Sequence, residues 1–141
     1  MSDSVWRVMD ANLNRAREGM RVCEEIARFI LSDAALTRRC EKVRHTIGRI
    51  SRLLPPPAFL KTRDVHRDAG RPSLRRIRSG HKLYQDLLTA NARRVEESVR
   101  VLEEFSRLWS LQQARRWTRL RFEVYDIEQS ICAHLSSLRH R

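Results

Sequence analysis

The chain has 141 residues, 41% hydrophobic and 33% charged, with a net charge of +12. This length sets one domain as the expectation and buries roughly two-thirds of the unfolded surface, so a core needs no disulfide. Four Gly, four Pro and few β-branched runs argue against an all-β fold, and no apolar run is long enough to span a membrane.

In chain order, the first pattern covers 5–31. Met9, Leu13, Ala16, Met20, Cys23, Ala27 and Ile30 recur at alternating steps of four and three, a helical seam. Ser32 and Asp33 offer N-caps for a second helix over 34–54, striped by Leu36, Cys40, Val43, Ile47, Ile50 and Leu54. Pro55, Pro56 and Pro57 end it, because proline lacks an amide donor and disfavours helix in the residue before it. Residues 58–79 show no sustained periodicity and read as a long loop with room for a short helix. A third helix spans 81–109 on Leu88, Ala92, Val95, Val99, Leu102, Ser106 and Trp109. A fourth starts near Gln112 and runs to about 137 on Leu120, Val124, Ile127, Ile131 and Leu135.

Sliding the chain by 79 residues lays 11–29 on 90–108 without a gap. Nine of the nineteen pairs are identical, among them Asn12/Asn91, Arg15/Arg94, Glu18/Glu97, Arg21/Arg100, Glu24/Glu103 and Glu25/Glu104. After a two-residue deletion, Val43, Arg44 and Ile47 fall on Leu120, Arg121 and Val124. The expectation is an all-α single domain over 1–141: four long helices as a duplicated hairpin with pseudo-two-fold symmetry. The halves cover about 5–54 and 81–137, around a loop over about 55–80.

The positions kept between the copies are mostly polar. Asn12 and Arg15, like Asn91 and Arg94, lie beside the apolar seams, where polar groups must find partners or cost stability. They are expected to point inward and converge near the pseudo-two-fold axis. Two readings stand: Asn residues that set bundle register, with Arg15 and Arg94 paired to Glu25 or Glu104, or a ligand site. The i,i+4 pairs Glu24/Arg28 and Glu103/Arg107 read as solvated salt bridges.

The excess charge is mostly Arg, since Lys occurs only at 42, 61 and 82. It invites anionic partners: phosphates of a metabolite, of nucleic acid or of a membrane surface. Half of it falls between Lys61 and Lys82. There Arg63-Asp64 and Asp68-Ala69-Gly70 suit a phosphate and Mg²⁺ site, and a solvated basic loop is the rival reading. Cys23, Cys40 and Cys132 have neither metal-like nor CxxC spacing, and no secretory signal opens the chain, so a cytoplasmic setting is expected. No Walker loop, GxGxxG or HExxH is present.

The runs Asp10–Phe29, Lys42–His45, Arg63-Asp64 with Asp68–Gly70, and Ala90–Glu104 resemble the small all-helical hydroxymethylpyrimidine-phosphate kinase family. In many bacteria that module precedes the barrel of thiamine-phosphate synthase. The resemblance runs from about Trp6 to Glu128. The loop reads Asp68-Ala69-Gly70 where the family usually has Asp-Val-Gly.

The resemblance implies ATP-dependent phosphorylation of 4-amino-5-hydroxymethyl-2-methylpyrimidine phosphate to the diphosphate, with Mg²⁺ as cofactor. Arg15, Arg94, Asp64 and Asp68 would then act on the transferring phosphate. Asn12, Glu18, Asn91, Glu97, Arg44, His45, Arg63 and Gly70 would bind substrates, and Glu25, Asp64 and Asp68 the metal. A homodimer and an association with thiamine-phosphate synthase are further partner expectations. The alternatives are a basic helical nucleic-acid-binding module and a non-catalytic partner of that synthase.

Overall fold

The computed structural model describes residues 2–53 and 83–138. Among them the regular structure is helical: α1 (Asp3–Glu25), a π-helical turn (Ile26–Ile30), α2 (Ala34–Ser51), α3 (Leu83–Ser106) and α4 (Leu111–Ser137). The basic loop, with Arg63, Asp64, Asp68 and Gly70, lies outside the described residues.

The seams decide how the helices meet. Met9, Ala16, Met20 and Cys23 of α1 are almost wholly buried, as are Cys40, Val43 and Ile47 of α2. Leu88, Val95, Val99 and Leu102 of α3 face Trp117, Val124, Ile127 and Ile131 of α4 in the same core. Each fully buried side chain of this size contributes roughly 1.5–3 kcal/mol relative to exposure. Ile30 departs from the expected seam and is 37% exposed. The π turn begins four residues before it, and its wider winding rotates Phe29 and Ile30 off the buried face.

Contacts run in a ring: α1 with α2, α2 with α4, α4 with α3, and α3 with α1. The pair α1 and α3 is antiparallel. Trp6, near the start of α1, meets Trp109, just past α3, at 5.6 Å between ring centroids. Gly19, further along α1, lies against Asn91 and Val95, early in α3. A Cβ on Gly19 would sit 2.8 Å from Val95 Cγ2 and 2.9 Å from the Asn91 carbonyl oxygen, so glycine is what allows this approach. The pair α2 and α4, on the opposite side of the ring, is antiparallel too: Asp33 reaches His134, and Arg39 reaches Glu123 and Asp126.

Caps fix the starts of the second helix in each hairpin. Asp33 accepts from the amides of Ala35 and Leu36, both at 2.9 Å, and Ser110 accepts from Gln113 at 3.3 Å. Asp33 and Ser110 are equivalent under the 77-residue offset of the second helices. Ser32 is not a cap. It takes φ 53°, the left-handed conformation that closes the preceding π turn, and Asp33 alone caps α2.

Candidate functional site

The repeat is visible first as a lattice of charge. Glu24 and Glu103 are 4% and 2% exposed, so they are not the solvated surface groups that i,i+4 spacing suggests. Each carboxylate is held from two helices. Within α1, Arg21 reaches Glu24 at 3.0 Å; within α3, Arg100 reaches Glu103 at 2.9 Å. From the partner helix, Arg44 Nε donates to Glu24 at 2.7 Å and Arg121 Nε to Glu103 at 3.1 Å. A buried carboxylate demands such partners, because its hydration is lost. Arg107 stays within 3.6 Å of Glu103, whereas Arg28 lies over the Phe29 ring, 4.8 Å from its centroid.

Arg44 therefore belongs to the frame of the bundle, a role its sequence neighbourhood did not give it. The signal was present: Arg44 and Arg121 are identical across the two second helices, as Glu24 and Glu103 are across the two first helices. Glu25 is likewise engaged, by Arg21 at 2.5 Å, and its equivalent Glu104 by Arg100 at 2.6 Å. Neither pairs with Arg15 or Arg94 among the described residues. His45 is exposed, 4.0 Å from Glu41, and apart from these groups.

The asparagines and arginines beside the seams divide. Asn12 is buried and Asn91 half-buried, yet neither amide reaches across the axis. Asn12 Nδ2 donates to the Val8 carbonyl and Asn91 Nδ2 to the Leu87 carbonyl, both at 2.8 Å. Arg15 and Arg94 do not point inward; both are exposed. Each lies about 100° around its helix from a core residue, Ala16 or Val95, on the flank that meets the other helix.

Glu18 and Glu97 are exposed as well. Like the two arginines, they make no ion pair with another described residue. The outer α1–α3 face therefore carries two copies of an Arg/Glu set that makes no ion pair among the described residues. No group of three or more His, Cys, Asp or Glu among the described residues is placed to hold a metal ion. What the face presents is two cations and two carboxylates without an ion pair among the described residues, suited to an anionic ligand and its counter-cation.

Residues 7–130 match the model of the ThiD2 family. The chain belongs to the ThiD2 family. Similar curated proteins are thiamine-phosphate synthases. That of Nostoc punctiforme is 35% identical over 130 residues, covering 92% of this chain and 36% of the relative. That of Thermosynechococcus vestitus is 37% identical over 125 residues, 89% of this chain and 34% of the relative. In Rhodopirellula baltica the match is 29% over 140 residues, 99% and 37%. This ThiD2 chain thus spans about a third of the length of the relatives it matches. No solved structure matches it.

The two buried thiols of this ThiD2 chain, Cys23 and Cys40, are chemically quiet. Burial pushes the Cys23 thiol far up, and that of Cys40 up to about 12, so neither supplies a thiolate near neutral pH. Glu96 of α3 is pushed up to about 7, first by burial and then by the Glu128 carboxyl beside it. Its Oε1 is buried without a hydrogen-bond partner among the described residues. The equivalent positions of the first hairpin hold Arg17 and Ser51, so this acidic pair belongs to the second hairpin alone. No helix among the described residues is long and apolar enough to cross a membrane.

Proposed function

We propose that the chain transfers the γ-phosphoryl group of ATP to 4-amino-5-hydroxymethyl-2-methylpyrimidine phosphate, giving the diphosphate, in cytoplasmic thiamine biosynthesis. Membership of the ThiD2 family and relatives named thiamine-phosphate synthase support the pathway. The observation that carries the reaction class is the outer α1–α3 face: Arg15, Glu18, Arg94 and Glu97 recur in both copies, exposed and without a described structural partner.

A phosphate monoester is already ionised near neutral pH, so the acceptor needs no general base. Catalysis then reduces to positioning and to offsetting charge. Arg15 and Arg94 supply planar, permanently charged donors that match phosphate oxygens in pairs. Two phosphate-bearing substrates meeting on one face repel, and these guanidinium groups lower that repulsion most where charge is greatest, in transfer.

Mg²⁺ keeps several of its waters and asks for one or two carboxylates beside the phosphates. Glu18 and Glu97 fit that demand, being unengaged by described residues, whereas Glu25 is already held by Arg21. Bound there, the ion would neutralise phosphate charge. Asp64 and Asp68 of the basic loop remain proposed ligands, with Arg63 and Gly70 beside them on the phosphate. Asn12 and Asn91 keep their helix-bound amides and stiffen the face behind the arginines.

The test is ADP release by the purified chain with Mg-ATP and the pyrimidine monophosphate. Arg15→Ala and Arg94→Ala, made singly, are expected to lower kcat/KM by about 10²–10³ with the melting temperature kept. Arg→Lys should recover only part of the loss, because Lys keeps the charge without the fork. Full turnover in both Arg→Ala proteins ends the assignment.

A further inference from the structure

The α2–α4 side of the bundle is made of two equivalent half-grooves that have become chemically different. Under the 77-residue offset, Arg39 of α2 corresponds to Arg116 of α4. Glu123 and Asp126 of α4 correspond to Thr46 and Arg49 of α2. In one half, Arg39 is clamped by both carboxylates, Glu123 at 3.0 Å and Asp126. Asp33 and His134, 3.2 Å apart, tie the helices together beyond it. That half is shut by ion pairs.

In the other half the equivalent arginine pairs with no carboxylate among the described residues. Arg116 lines a cleft with Thr46 and Arg49, a hydroxyl and a further cation where Arg39 has two acids. Arg49 donates to Thr46 Oγ1 at 2.7 Å. Lys42 and Arg119 line the cleft as well, and none of these four cations pairs with a carboxylate among the described residues. Glu123 borders the cleft, but its carboxylate is turned to Arg39. The floor is apolar, made by Val43, Ile50, Leu53 and Leu120. The cleft holds about 460 Å³, within the roughly 300–1,000 Å³ of small-molecule sites.

We infer that this open half-groove binds a phosphate or diphosphate ester with an apolar or aromatic body. Four cations without a carboxylate partner among the described residues repel one another until an anion of two or more charges joins them. Arg116, Arg119 and Arg49 offer the forks that hold phosphate oxygens in pairs. The apolar floor favours an esterified phosphate over a bare hydrated ion, since only the ester has surface to bury there. The chain's own Lys61–Lys82 segment carries +6 and is electrostatically the wrong occupant. The cleft lies across the bundle from Arg15 and Arg94, so the inference stands apart from the kinase reading.

The test is titration calorimetry of the full chain with 1-naphthyl phosphate, ADP, inorganic pyrophosphate and 1-naphthol. The two esters are expected to bind, more weakly as salt rises. Pyrophosphate should bind at least tenfold less tightly than ADP, and 1-naphthol not measurably. Thr46→Glu with Arg49→Asp restores the two acids opposite Arg116, and should cost at least tenfold in ester affinity without loss of melting temperature. Arg116→Ala should also cost at least tenfold, and serves where the double variant fails to fold. The inference is overturned if neither ester binds the native chain. It is equally overturned if affinity stays within twofold in Arg116→Ala, if 1-naphthol binds as well as its phosphate, or if Arg15→Ala rather than Arg116→Ala removes binding.

Discussion

The two hairpins share a charge lattice and differ at their joints. Arg21, Glu24, Glu25 and Arg44 in the first repeat the contacts of Arg100, Glu103, Glu104 and Arg121 in the second, to within a few tenths of an ångström. The first joint is two residues longer and winds them into the π turn closed by Ser32. Beneath the joints, Ala27 and Cys40 of the first hairpin become Ser106 and Trp117 of the second, where Trp117 Nε1 donates to Ser106 Oγ at 3.1 Å. The lesson is that repeat identity has two sources. Buried identical groups such as Glu24 and Glu103 are explained by the frame. Exposed ones such as Arg15 and Arg94 have no described structural use, and these are where binding is to be sought.

The largest effect expected on this division comes from breaking the lattice. Glu24→Ala and Glu103→Ala each strand an arginine against a hole left by a buried carboxylate, and should cost about 3–5 kcal/mol in urea unfolding. Glu25→Ala and Glu104→Ala remove more exposed pairs and should cost no more than about 1 kcal/mol. Equal costs at all four positions would erase the distinction between frame and surface.

Gly19→Ala comes next. Its Cβ meets Val95 and the Asn91 carbonyl below contact distance, and relief of that clash should cost about 1–3 kcal/mol. Ser98, the equivalent residue in the second hairpin, already carries a Cβ in a buried site. Ser98→Ala should therefore be tolerated, and thermal melts of the pair measure how unequally α1 and α3 approach each other. Ser106→Ala should cost about 1 kcal/mol by leaving the buried Trp117 Nε1–H without an acceptor. The Ala27–Cys40 site of the first hairpin requires no such bond.

The smallest effect is in pH dependence. Glu96 titrates near its ordinary 4.5 in the unfolded chain and at about 7 in the fold. Between those values the fold holds a proton that the unfolded chain has released, so stability falls as pH rises from about 4.5 to about 7 and then levels. Glu96→Gln should flatten that decline in melting temperature. An unchanged slope would remove the Glu96–Glu128 pair from the second hairpin's account.

Much of the fold was legible because burial follows helical period. Leu36 through Ile50 and Leu120 through Leu135 are buried where their spacing placed them. The π turn was not legible: the repeat offset shows that the first joint is two residues longer, but not how the backbone takes them up. Glu24 misled for a related reason. Spacing along one helix shows Arg28 as its neighbour, while its buried partner, Arg44, comes from another helix 20 residues on. On α1 and α3 the repeat singles out the residues proposed for the site, but it does not give their direction. Periodicity places Asn12 and Arg15 on one flank, and side-chain length then separates them: the short amide bonds its own helix, the long guanidinium reaches water.

The antiparallel seam of α1 on α3 has an ancestral meaning. Two equivalent hairpins meeting about a two-fold axis have the geometry of a dimer of identical subunits. A gene encoding one hairpin, copied and joined end to end, turns that dimer into a single chain. In two identical subunits one residue would fill both the Arg39 and the Arg116 position, and both half-grooves would share one chemistry. A single chain is free of that constraint. A groove latched by Glu123 and Asp126 on one side and left cationic on the other is a form that two identical subunits related by strict symmetry could never take.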